Sequence, residues 1–120
     1  MATFIKSPSI INAAGTRDKI IHEYFGHVNS KTAEVSIAHM KSPEGWVEPG
    51  QCPEFNEYTV VLKGKLKIAT KNEEFVINEG QAIMTGMEEW VQYSTPFEGG
   101  AEYIAVCLPA FSPDIVRRDE

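Results

Sequence analysis

Short alternating runs, each closed by a turn cluster, constrain this chain more than any other feature. Residues 33–40 (AEVSIAHM) put Val35, Ile37 and His39 on one face and Ser36, Ala38 and Met40 on the other. That period-two pattern is the mark of a half-buried strand. Residues 57–62, 66–70, 74–77, 81–85, 90–94 and 102–108 repeat the theme with β-branched and aromatic side chains. Between them stand Ser42-Pro43-Glu44-Gly45, Pro49-Gly50, Lys71-Asn72, Asn78-Glu79-Gly80, Thr85-Gly86 and Phe97-Glu98-Gly99-Gly100. Turn chemistry of this kind at such intervals argues for a β-sandwich or barrel. Lys63-Gly64-Lys65 reads as the loop of a hairpin between residues 57–62 and 66–70. The one helix-like segment, residues 113–118, is expected to form no more than a short terminal turn.

The chain has 120 residues, which fits one domain spanning 1–120 with its core at about 33–108. That length can bury a core without disulfide or metal staples. The net charge of -6 speaks against nucleic acid, because phosphate contacts need clustered Lys and Arg. Arg117-Arg118 is the one basic pair near an end, and Asp119 and Glu120 beside it favour a solvated tail. Residues 1–11 are too polar for a signal peptide. No apolar run approaches the roughly 20 residues needed to span a bilayer. Cys52 and Cys107 lie far apart and form no zinc-type spacing. These features lead to an expectation of a cytoplasmic protein with reduced thiols and no membrane contact.

Two glycine-framed segments carry a resemblance. The first runs from Gly45 through Glu57 to Gly64, and the second begins at Gly80. Their spacing resembles the two sequence motifs of the RmlC-like cupin superfamily, over residues 33–108. The resemblance implies an all-β fold: a double-stranded β-helix, or jelly-roll, cupin barrel with a short N-terminal extension and a C-terminal tail. The departures concern the metal. The positions where the family places its His-x-His fall on Gln51 and Pro53, and its later His falls on Val91. Only Glu57 keeps the family's residue. Proline and valine have no side-chain donor, and a catalytic transition metal normally wants about three protein ligands. No cofactor is therefore expected, although a divalent metal rebuilt on Glu57, Glu54 and His39 stays open. The chain is also similar to the ethanolamine-utilisation branch of cupins, which lacks the metal histidines. That likeness rests on Asn56-Glu57-Tyr58, on Val61-Leu62-Lys63-Gly64, and on Leu108-Pro109-Ala110-Phe111.

The cupin register implies the candidate site. Glu57 would point into the barrel, where loss of water raises a carboxyl pKa and suits it to proton transfer. Tyr93 shares a face with Val91, the inward position in that register, and could reach a ligand. His39 would be a base or replacement ligand if its face points inward. Gln51, Glu54, Val91, Tyr103 and Cys107 are the expected ligand-binding lining, and Trp46 is expected to be a packing anchor. Glu57, Tyr93 and His39 are the catalytic candidates. The expected function is a non-canonical cupin with a small-molecule pocket, an enzyme or accessory protein using acid–base chemistry on a small polar metabolite. A non-catalytic binder or sensor, or the rebuilt metal site, are the alternatives, and whether the chain is an enzyme is left open. Exposed sheet edges point to a homodimer, with residues 3–11 able to add a strand to a neighbour.

Overall fold

The computed structural model describes all 120 residues and contains nine strands and no helix. The strands are β1 (Ser9–Ile11), β2 (Ile20–Phe25), β3 (Ser36–Ser42), β4 (Trp46–Val47), β5 (Asn56–Thr70), β6 (Glu74–Asn78), β7 (Ala82–Thr85), β8 (Val91–Thr95) and β9 (Ala101–Leu108). Every pairing is antiparallel, in the order β1-β2-β3-β9-β5-β8-β4, with β6 and β7 also on β5. No helix is long and apolar enough to cross a membrane.

β5 joins the two halves of the curled sheet. Its first part pairs with β9 and β7, and its second part with β6 and β8. The expected hairpin at Lys63-Gly64-Lys65 is therefore corrected: these residues lie inside one strand of 15 residues. The glycine marks a bend instead of a reversal. Gly64 has φ 75°, the register against β9 shifts between Val61 and Lys63, and a Cβ at Gly64 would strike the Gly100 carbonyl. A glycine inside a strand pattern often signals such a bulge or close backbone approach.

Alternation places the interior. Glu57, Thr59 and Val61 of β5 point inward, as do Ser36 and Ala38 of β3, Val91 and Tyr93 of β8, and Tyr103, Ala105 and Cys107 of β9. One apolar cluster packs Trp46, Val61, Leu66, Ile68, Ile77, Val91, Tyr93, Ala101 and Tyr103. A second joins Phe55, Cys107 and Val116, with Phe111 and Ile115 against it. Trp46 is the expected anchor, buried, with its indole N–H donating to the Ala14 carbonyl at 3.0 Å.

Both chain ends fold onto the barrel. β1 pairs with β2, and β2 with β3, so the N-terminal strand is added within the chain. The tail after β9 runs back along residues 50–54. Glu54 N–H donates to the Ile115 carbonyl, Cys52 N–H to that of Arg117, and Asp119 N–H to that of Gly50. A freely solvated Arg117-Arg118 tail is thereby corrected, since backbone hydrogen bonds tie it down. Ser112 to Ile115 closes one hydrogen-bonded turn at 3.1 Å. Both cysteines are free thiols.

Candidate functional site

The two apolar clusters leave a gap between them, and that gap is the candidate site. Tyr93 and Tyr103 reach it from the first cluster, and Phe55, Cys107 and Phe111 from the second. Met40, Ala38 and Ala105 line its walls, while Ile11 and Ile21 from the N-terminal hairpin cover one side. The cavity measures about 70 Å³. A single water needs on the order of 10–15 Å³ by the same measure, so the space is several waters in size.

Glu57 enters this pocket because β5 alternates, and Thr59 and Val61 bury the same face. Burial pushes its carboxyl up to about 7, and the charge of Glu48 adds to the effect. Lys19 and a hydrogen bond from Tyr93 pull the other way. Loss of water disfavours the ionised form, and a neighbouring carboxylate disfavours it again. Glu48 follows β4 on the side of buried Trp46, and its own carboxyl is raised by burial while Lys19 and Arg118 oppose. The result is a pair of buried carboxyl groups with two cations nearby, a setting in which one proton is readily held or released near neutral pH.

Tyrosine hydroxyls frame the pair. Tyr93 Oη lies 3.0 Å from Thr85 Oγ1, and Tyr103 Oη 2.8 Å from Ser42 Oγ. Burial holds both phenols above their ordinary range, with Glu57 adding to the effect at Tyr93 and Lys19 opposing it at Tyr103. Both are therefore neutral hydrogen-bonding groups at physiological pH. The Cys107 thiol is also pushed well up, by burial and then by Glu57. It is a lining group and a poor nucleophile.

Of the residues singled out by sequence, Glu57, Gln51, Tyr93, Tyr103 and Cys107 meet at this pocket. Three do not. His39 stands on the outer face of β3, 2.7 Å from Glu102, because the inward face is the one carrying Ser36 and Ala38. Glu54 turns outward and binds Arg117 at 2.7 Å. Val91 is fully buried in the apolar cluster and bridges Gln51 through its backbone, so it supports the pocket without lining it. Sequence reasoning missed Glu48, Lys19 and Arg118. Glu48 was within reach, since Trp46 is two residues away on the same strand face. Lys19 sits in a loop and Arg118 in the tail, where no periodicity signals direction.

The cupin metal does not fit these residues. Val91 and Pro53 at two of the family's ligand positions offer no donor, and both are buried in packing roles. The set Glu57, Glu54 and His39 is also ruled out as one site, because the last two face away. No group of three or more His, Cys, Asp or Glu side chains is arranged for a metal.

Comparison with known proteins agrees with the geometry. The fold matches the polyketide cyclase RemF from Streptomyces resistomycificus (TM-score 0.76, 12% identity, 100% of this chain and 85% of that one). It matches an RmlC-like cupin from Shewanella frigidimarina NCIMB 400 (TM-score 0.73, 14% identity, 94% of both chains). It also matches the ethanolamine utilization protein Q of Salmonella typhimurium LT2 (TM-score 0.68, 14% identity, 87% of this chain and 97% of that one). These likenesses show the fold: it is the jelly roll of the RmlC-like cupins. No protein-family model matches it. In sequence it is similar to the endoribonuclease YbeY of Myxococcus xanthus strain DK1622, 35% identical over 101 residues. That alignment takes in 84% of this chain but 34% of the other, so the chain spans about a third of that relative's length.

Proposed function

We propose that this chain is a metal-independent cupin that binds a small polar metabolite in its barrel and moves a proton on it through Glu57. The observation behind the reading is a buried carboxyl group, beside Glu48 and Tyr93, in an internal pocket. Its value of about 7 lets it take or give a proton at the pH of most cells. Tyr93 orients it, the Gln51 amide offers a donor and an acceptor to a ligand, and Tyr103 and Cys107 shape the wall. Isomerisation, epimerisation and lyase reactions need only such positioned groups. The polyketide cyclase and the ethanolamine utilization protein among its fold neighbours lend support to a metabolic role. An endoribonuclease role, as named for the Myxococcus protein, is opposed by the net charge of -6 and the small cavity. Two free thiols favour a cytoplasmic setting.

A thermal-shift screen of small metabolites on protein purified without a metal-affinity tag finds the ligand, and turnover is then followed. Glu57→Gln is expected to lower turnover by roughly a hundredfold or more with folding intact. Unchanged turnover in that variant, or stoichiometric metal in the active wild type, would refute the proposal. A ligand that binds without being turned over would establish the binder reading in its place.

We infer as well that the working unit is a homodimer formed on the outer face of β3, β9, β5 and β7. Cross-strand register sets Ile37, Val106, Tyr58 and Met84 in one row and His39, Ile104, Val60 and Ala82 in the next. Tyr58, Val60, Leu62, Met84 and Leu108 there are all exposed. An exposed apolar cluster of this kind, bordered on β3 and β9 by the His39–Glu102 pair, is a typical mark of an interface.

A further inference from the structure

We infer that the pocket takes a small organic carboxylate with a short apolar body, its anionic end held by Arg118 and Lys19 and its other end presented to Glu57. The inference rests on reading the pocket as a small-molecule site, and it names the class of molecule.

Two cations line the pocket, yet neither is held in a close ion pair. The three ion pairs of the molecule are His39–Glu102, Lys67–Glu74 and Arg117–Glu54, all elsewhere. Arg118 Nε is buried without any hydrogen-bond acceptor. A guanidinium is always charged, and a buried donor on it left unpaired is costly. The side chain is nevertheless held in place. Its backbone bridges Gln51, and its guanidinium carbon lies 5.7 Å from the Phe111 ring centroid. Lys19 Nζ rests 4.1 Å from the Trp46 ring centroid and 5.2 Å from that of Tyr103, against aromatic faces instead of a carboxylate. Both cations oppose the rise of the Glu48 carboxyl, and all three residues line the same pocket. The remaining pocket acid, Glu23, is already taken up, accepting from Val28 N–H at 3.0 Å and Asn29 N–H at 2.7 Å.

The missing partner is therefore an acceptor with negative charge. A planar carboxylate matches the guanidinium fork, and one charge is balanced by the two cations even with Glu48 beside them. A phosphate dianion would face the carboxyl groups of Glu48 and Glu57 in a cavity of about 70 Å³. The apolar stretch lined by Ile11, Ile21, Ala38, Met40 and Ala105 suits a few methylene groups.

Titration calorimetry at pH 7 tests this on the full chain, with butyrate, the neutral isostere butyramide and inorganic phosphate as probes. Butyrate is expected to bind, with butyramide and phosphate at least about tenfold weaker. Arg118→Gln is expected to weaken butyrate by about tenfold or more, with Arg118→Lys recovering part of the loss. Lys19→Gln makes the same comparison on a residue outside the tail, should Arg118→Gln not fold. Butyramide or phosphate binding as tightly as butyrate would overturn the inference. So would no butyrate binding up to about 10 mM, or wild-type affinity in both charge-removing variants. Binding is read here without turnover. Failure leaves the proton-transfer role of Glu57 standing, and an inert Glu57 leaves carboxylate binding standing.

Discussion

Burial and a second carboxylate act on Glu57 in the same direction, so this residue weighs against the fold that holds it. Its carboxyl rises from 4.5 to about 7 on folding. The folded chain therefore binds more protons than the unfolded chain between those values, and stability falls as pH rises through that window. Above pH 7 the full penalty applies, on the order of 3 kcal/mol for a shift of this size. Glu57→Gln removes the titration. Urea denaturation at pH 5 and pH 8 should show the wild type losing stability at the higher pH and the variant losing much less. At pH 8 the variant should be the more stable by roughly 1–3 kcal/mol. A variant as pH-sensitive as the wild type would move the burden to Glu48. At this scale the sequence was informative wherever a strand fixed direction. Glu57, Tyr93, Tyr103 and Cys107 could be placed by alternation once the cupin register was adopted. His39 could not, because residues 33–40 carry apolar side chains on both faces, and the choice between faces needs the partner sheet. The small side chains Ser36 and Ala38 face the cavity, and the larger Ile37 faces outward.

Among elements, β5 decides the architecture, and a single glycine decides β5. The strand has to leave one half of the sheet and join the other, and Gly64 at φ 75° supplies the bend. Sequence alone could not separate this bend from a hairpin, because a glycine between two β-branched runs signals both. The distinction lies in what approaches the glycine, here the Gly100 carbonyl from the adjoining turn. Gly64→Ala combines an unfavourable backbone conformation with that collision. It should lower stability by at least about 2 kcal/mol, measured by the shift of the urea midpoint at constant slope. A loss below about 0.5 kcal/mol would mean that the bend can relax without the glycine. β2 was missed for a related reason. In Ile20-Ile21-His22-Glu23-Tyr24-Phe25 polarity does not follow the alternation, since apolar Ile21 and acidic Glu23 share the pocket face while His22 pairs across the outer face with His39. An acid buried to hold a loop, as Glu23 holds Val28 and Asn29, looks from sequence like a solvent-facing position.

For the whole molecule, the outer sheet face is the feature that a single chain leaves unresolved. Three strands of about seven residues and β7 with four, about 4.8 Å apart at about 3.3 Å per residue, cover roughly 400 Å² in flat projection. Accessible area is larger, and a standard interface buries about 800 Å² a side. The face is therefore of the right order to hold two copies together. Val60 sits near its middle, between Ile104 and Ala82, and it is 44% exposed. Light scattering behind size exclusion should give twice the chain mass of 13.4 kDa for the wild type. Val60→Asp places a charge where the two faces would meet, at a position whose exposure lets the single chain accept it. That variant should run at the mass of one chain while keeping its circular-dichroism spectrum, because desolvating an unpaired carboxylate in the interface costs several kcal/mol. A monomeric wild type would remove the reason for the apolar face. A Val60→Asp protein that stays dimeric would instead shift the contact to another surface, such as the edge of β1, whose residues Ser9–Ile11 pair with β2 on one side only.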